Sequence, residues 1–138
     1  TVTAIPLLDA HAWIWWADHD PRLGRRFLEA LDAFPADTRP AISDISLWEV
    51  ATLAERGRIR FHIPFADWLK VAAHSRTVRV LPITPAVAAE NAALPGSFHR
   101  DPADRVIVAT SRVLNLPLLT RDRLILASRL VSRWLPGR

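Results

Sequence analysis

AIPLLDAHAWIWWADHD, residues 4–20, decides how the chain is read. AIPLL at 4–8 is short and apolar throughout, which suits a buried strand. Asp9 closes it, and HAWIWWAD at 11–18 reads as a helix that is apolar over most of its surface. Strand, acid, helix is therefore the opening unit.

The same grammar repeats. Asp20-Pro21 has N-cap and first-turn chemistry and opens a second helix through about Phe34. PAIS at 40–43 is a second strand, and SLWEVATLAERG follows as a helix capped by Ser46 and stopped by Gly57. After a loop at RIRFHIP, PFADWLKVAAHS makes a fourth helix, TVRVLPI a third strand, and TPAVAAENAAL a helix opening at Thr84-Pro85. PGSFHR is a loop, and a helix runs from Pro102 to about Leu114. LPLLT at 116–120, a short helix from about Arg121 to Ser128 and a last strand near LVSRWL complete the chain. Strands alternating with helices predict an α/β three-layer sandwich, with a mostly parallel, roughly five-stranded sheet flanked by helices. Residues 1–138 are expected to form a single domain.

Composition narrows the function classes. With no cysteine there is no disulfide, thiolate metal site or cysteine nucleophile, and the cytosol is the expected compartment. No apolar run reaches membrane-spanning length and no basic leader precedes the first strand, so neither an anchor nor a signal peptide is expected. The pI of 11.1 is inflated, because one lysine and no tyrosine leave almost nothing to titrate between histidine and arginine. The net charge of +4 favours polyanions only weakly. His11, His19, His62, His74 and His99 show no H-x-H or H-E-x-x-H spacing, which argues against a zinc hydrolase. Four glycines in all provide no phosphate loop or dinucleotide fingerprint, and G-x-S-x-G is absent.

The acids carry the chemistry. Asp9 ends the first strand, at the edge where open parallel sheets bind ligands, although it could also cap the next helix. Glu49 lies three residues after Ser46, as in a capping box, and near the same edge. Asp101, Pro102 and Asp104 fit the N-cap, N1 and N3 positions of a helix, yet Asp104 shares a face with Ile107, Val108 and Ser111 and so heads the apolar stripe. Asp122 follows the fourth strand. Parallel topology would bring Asp9, Glu49, Asp104 and Asp122 together. Carboxylates about 5 Å apart repel by roughly 3 kcal/mol per ionised pair at an effective dielectric near 20. Such a cluster protonates or recruits hard cations, Mg²⁺ or Mn²⁺, which is the recipe for metal-dependent phosphodiester hydrolysis. His11 and His99 flank these acids; a packed or surface histidine is the ordinary reading at such positions, and contact with substrate is the alternative.

With those residues in hand, the sequence resembles the PIN-domain family, and within it the VapC-type toxins of bacterial toxin–antitoxin pairs. LLDAHAWIWW resembles the family's opening strand and first acid, ISLWEVATLAERGRIRF its S-L-W-E block, LPIT its third-strand region, FHRDPADRVIVAT its H-R-D-P-x-D-R block and LPLLTRD its last acidic strand end. Ala103 stands where many relatives have a bulky apolar residue.

The resemblance implies that Asp9, Glu49, Asp104 and Asp122 hold Mg²⁺ or Mn²⁺, with Asp101 as an auxiliary. It implies endoribonuclease cleavage by a metal-activated water, leaving a 5′-phosphate and a 3′-hydroxyl, with Arg100, Arg105, Arg121 and Arg123 on the RNA backbone. It also implies a homodimer and a VapB-type antitoxin, for which a groove beside HAWIWW and FADWLK would suit an amphipathic helix. A non-catalytic RNA- or protein-binding scaffold and a related metal-dependent DNase are the alternatives.

Overall fold

The computed structural model describes residues 4–137. Four parallel strands, β1 (Leu7–Leu8), β2 (Ala41–Ser43), β3 (Arg79–Leu81) and β4 (Leu118–Leu119), lie in the order β3-β2-β1-β4. Between and after them run α1 (Ala10–Ala17), α2 (Arg25–Asp32), α3 (Asp44–Glu55), α4 (Phe65–Ala72), α5 (Pro85–Ala93), α6 (Pro102–Leu114) and α7 (Arg123–Ser128).

The strands are short, but their alternation divides the core cleanly. Leu7 pairs with Ala41 and Leu118, and all three face a cluster built on Ile107, Val108 and Ile125. One residue on, Leu8 pairs with Ile42 and Leu119, and these face Trp13, Trp16, Leu31 and Trp134 on the other side. A period of two over dipeptides is enough to bury both faces, so helices cover the sheet on both sides and the expected three-layer sandwich forms.

Trp13 and Trp68, expected beside a groove, pack on each other with ring centroids 5.1 Å apart. Trp13 is fully buried and its indole N–H donates to the Ala72 carbonyl at 2.9 Å, which answers one open acceptor at the end of α4. Among the described residues, no helix is long and apolar enough to cross a membrane.

Four expectations need correction. The fifth strand is reduced to one parallel bridge between Leu118 and Arg133. The chain there is held by a side chain, because Trp134 is buried against Phe27 and Phe34 and its indole N–H donates to the Ala4 carbonyl. The second helix is broken into a 3-10 turn, Pro21–Leu23, and α2 by Gly24, whose φ of 105° suits only a residue without a side chain. The last helix begins at Arg123, capped by Asp122, so Arg121 lies outside it. The fourth correction bears on chemistry: α3 begins at Asp44 and is capped by Ser43, whose hydroxyl accepts from the Ile45 N–H at 3.2 Å. Ser46 is fully buried inside the helix, so there is no capping box and Glu49 is free of that duty.

Candidate active site

Three carboxylates are positioned by helix capping. Asp9 precedes α1 and its Oδ1 accepts from the Ala12 N–H at 2.9 Å. Asp101 precedes α6 and its Oδ1 accepts from the N–H groups of Ala103 and Asp104 at 2.9 and 3.4 Å. Asp122 precedes α7 and its Oδ1 accepts from the Ile125 N–H at 3.0 Å. Each cap ties one oxygen to a helix N-terminus, where negative charge is favoured, and leaves the other to face elsewhere. The second oxygen of Asp9 accepts from the Thr120 hydroxyl, whose own oxygen accepts from the Asp122 N–H at 3.0 Å. The ends of adjacent β1 and β4 are thus joined through one buried threonine.

Glu49 and Asp104 come from inside helices α3 and α6. Glu49 Oε1 is buried and has no hydrogen-bond partner. Carboxylate oxygens of Glu49, Asp101 and Asp104 lie within 4.8 Å of one another, as do donor atoms of His99, Asp104 and Asp122. His99 Nε2 sits 3.0 Å from Asp104 Oδ2 and 3.1 Å from Asp122 Oδ2. Its Nδ1 accepts from the Asp101 backbone N–H at 3.2 Å, so the neutral ring carries its hydrogen on Nε2 and donates toward both carboxylates. His99 is therefore part of the site, where sequence reasoning left it as a flanking contact. Its one sequence signal was the step of two residues to Asp101.

Electrostatics follow from this crowding. Burial, then the charges of Asp104, Asp101 and Asp9, push the Glu49 carboxyl up to about 8. Burial and Asp101 push Asp104 up to about 7, against the pull of His99. Burial also raises Asp9, with the Thr120 and Ala12 hydrogen bonds acting the other way. At Asp122 burial is outweighed by the Ile125 N–H and His99, which hold its carboxyl below the usual range.

A cavity of about 330 Å³ opens over these groups, lined by Asp9, Glu49, His99, Asp101, Asp104 and Asp122 together with His11, Trp15 and Arg121. The expected acids are all brought together; the expected arginines are not. Arg100 and Arg123 are exposed and do not line the cavity. Arg121 lines it, but its guanidinium donates to the Leu23 carbonyl and lies over the Phe27 ring at 5.1 Å. Arg105 is turned away, donating to the carbonyls of Asn91, Leu94, Pro95 and Phe98 at 3.2 to 3.4 Å. It closes the end of α5, where a cation is favoured. Arg105→Ala is expected to destabilise the fold by about 1–3 kcal/mol, the range for charge-assisted hydrogen bonds. Denaturant unfolding checks this, and the affinity for nucleic acid should stay unchanged.

The donor set fits a hard divalent cation. Oxygen ligands predominate, two carboxyls are raised by burial and by the carboxylates around them, and the Glu49 oxygen lacks any donor. A cation among Glu49, Asp101 and Asp104 would answer all three conditions.

Fold and site together define an α/β protein with an acidic pocket at the carboxyl edge of a parallel sheet. The chain belongs to the PIN domain family, which it matches over residues 7–127. It is 44% identical to Ribonuclease VapC22 of Mycobacterium tuberculosis over 124 residues, 89% of this chain and 91% of that protein. Among solved structures it is similar to a toxin–antitoxin complex from Klebsiella pneumoniae, with TM-score 0.65 and 22% identity over 96% of this chain and 99% of the other. VapBC2 from Rickettsia felis, bound to a promoter DNA fragment, aligns with TM-score 0.70 and 13% identity over 94% and 96%. At those identities the two structures speak for the fold.

Proposed function

We propose that residues 1–138 form a single PIN domain acting as a Mg²⁺- or Mn²⁺-dependent endoribonuclease, the toxin of a toxin–antitoxin pair. The observation that carries this is the convergence of Glu49, Asp101 and Asp104 around a buried Glu49 oxygen that no donor reaches; among the described residues no arginine or lysine pairs with any of the three, and His99 reaches Asp104 alone. Similarity to a VapC ribonuclease supports RNA as the substrate, and similarity to toxin–antitoxin complexes supports a VapB-type antitoxin; a homodimer follows by analogy.

The chain's residues divide the work. Glu49, Asp101 and Asp104 would hold the ion, with Asp9 and Asp122 adding negative charge beside them. When bound, the ion supplies charge neutralisation at the scissile phosphate and activates a water. His99 holds Asp104 and Asp122 in place through Nε2, and its own ring is fixed by the Asp101 N–H. Among the described residues Arg121 is the one arginine that lines the cavity.

The test is incubation of the purified protein with a mixed single-stranded RNA pool in Mn²⁺, Mg²⁺ or EDTA, beside DNA of the same sequences. Cleavage of RNA that EDTA stops is the expected result. Cutting of DNA alone would make the protein a DNase. Metal titration that finds no binding at millimolar Mn²⁺ would favour a scaffold.

A further inference from the structure

The arginines expected on the RNA backbone do not gather at the acidic cavity, yet the molecule has a second and larger cavity beside it. It encloses about 470 Å³ along α1 and is lined by Arg22, Arg58, Arg60, His62, His11 and Trp15, among others. His11 and Trp15 line the acidic cavity as well, so the two spaces adjoin across this pair.

The groove's cations are held in place by the core. Along RIRFH, residues 58–62, Ile59 and Phe61 turn inward, and Phe61 packs on Phe65 and Trp68 with centroids 5.2 and 4.6 Å apart. Arg58, Arg60 and His62 alternate with them and stay exposed. Among the described residues neither Arg58 nor Arg60 forms a salt bridge or side-chain hydrogen bond. The acids of the groove are already engaged: Asp20 pairs with Arg22 at 2.7 Å, and Asp18 Oδ1 accepts from the Trp68 indole at 2.9 Å. Trp15 joins the two spaces, with the His11 ring at 5.8 Å and the Arg22 guanidinium at 5.4 Å from its own.

We propose that this groove is the track for the single-stranded RNA flanking the scissile phosphate, with Arg58 and Arg60 on its phosphates and the Trp15 and His11 rings offering a stacking surface at the entry to the acidic cavity. The inference rests on the nuclease reading for its direction. Arginine forks suit phosphate oxygens, and aromatic rings interleaved with cations are how single strands are held without base reading. An acidic pocket repels the polyanion it must act on, so attraction has to come from beside it.

The test is fluorescence anisotropy of a labelled twelve-nucleotide single-stranded RNA in EDTA, with wild type, Arg58→Gln/Arg60→Gln and Arg79→Gln. Arg79 opens β3, an edge strand, lines neither cavity and serves as the control. The double variant should bind about tenfold more weakly, with the slope of log K against log salt reduced by about 1.4, as expected for two phosphate contacts on a single strand. Arg79→Gln should match wild type. Equal affinity and slope in the double variant and wild type would overturn the proposal, as would RNA binding unchanged while binding of polyglutamate falls. Mn²⁺-dependent cleavage of the same RNA separates the two readings. If wild type cleaves and the double variant keeps its KM, the track fails and the nuclease stands. If wild type binds through Arg58 and Arg60 without cleaving, the nuclease fails and the track stands.

Discussion

Asp104→Asn is expected to abolish metal-dependent cleavage and at the same time to make the metal-free protein more stable. Loss of a ligand carboxylate should cost more than the 10–100-fold that loss of an outer-shell partner costs, so a fall of about 10³-fold is expected. The stability change runs the other way because of linkage. The folded Asp104 carboxyl is pushed up to about 7 and Glu49 to about 8, against 3.8 and 4.5 for the free side chains. The folded state therefore binds more protons than the unfolded chain between about pH 4 and 8. Stability is full below the unfolded values and is lost as pH rises through the folded ones. In EDTA the wild type should be more stable at pH 5 than at pH 8.5. Asp104→Asn should narrow that difference, gaining about 1–2 kcal/mol at pH 8.5 once solvent screening is allowed for. Thermal melts at the two pH values, in EDTA and in Mn²⁺, read both effects. Mn²⁺ should raise the wild-type melting temperature most at pH 8.5, where the ligands have lost their protons, and should do so far less in the variant. A variant that loses activity and also melts lower in EDTA at pH 8.5 would mean that Asp104 is a structural residue.

The sequence exposed the order of the elements and the acids because both depend on local pattern. AIPLL, PAIS and LPLLT are apolar runs with stops, and each yields a strand. The cap of α3 was harder to place. Both Ser43 and Ser46 precede a helical run with an acid three residues on or nearer, and only packing decides between them. Ser43 ends β2, so the helix must start at once, which sends Ser46 into the core and Glu49 to the cavity. The last strand failed for a related reason. LVSRWL has strand composition, but Trp134 finds a full pocket against Phe27 and Phe34, and side-chain docking replaces the ladder. Charges were the least legible. Arg105 stands next to Asp104 in the sequence, and one residue of helix rotates its side chain by about a quarter turn, toward the end of α5 instead of the cavity. His99 stands beside Asp104, and the unpaired arginines come from RIRFH, whose neighbouring acids Asp18 and Asp20 are engaged by Trp68 and Arg22.

Asp9→Ala is expected to lose cleavage as fully as Asp104→Asn but with the opposite effect on the fold, because the two acids meet their surroundings differently. Asp104 faces other carboxylates and a histidine, whereas Asp9 is engaged on both oxygens by donors, the Ala12 N–H and the Thr120 hydroxyl. Removing it deletes the cap of α1, worth roughly 0.5–2 kcal/mol, and leaves the buried Thr120 hydroxyl without an acceptor, at about 1–3 kcal/mol. A net loss of about 2–4 kcal/mol should appear as a lower denaturation midpoint with an unchanged slope. Asp9→Asn separates the two roles. Its amide oxygen can still cap Ala12, and its amide nitrogen can donate to the Thr120 oxygen, which already accepts from Asp122. The Asn variant should therefore keep the cap's share of the stability that Ala loses, although the Thr120 hydroxyl hydrogen still lacks its acceptor, and with one negative charge fewer in the cavity it should bind Mn²⁺ more weakly and cleave little. If Asn retained full Mn²⁺-dependent cleavage, Asp9 would be a cap alone, and the charge needed for the reaction would have to come from Glu49, Asp101, Asp104 and Asp122.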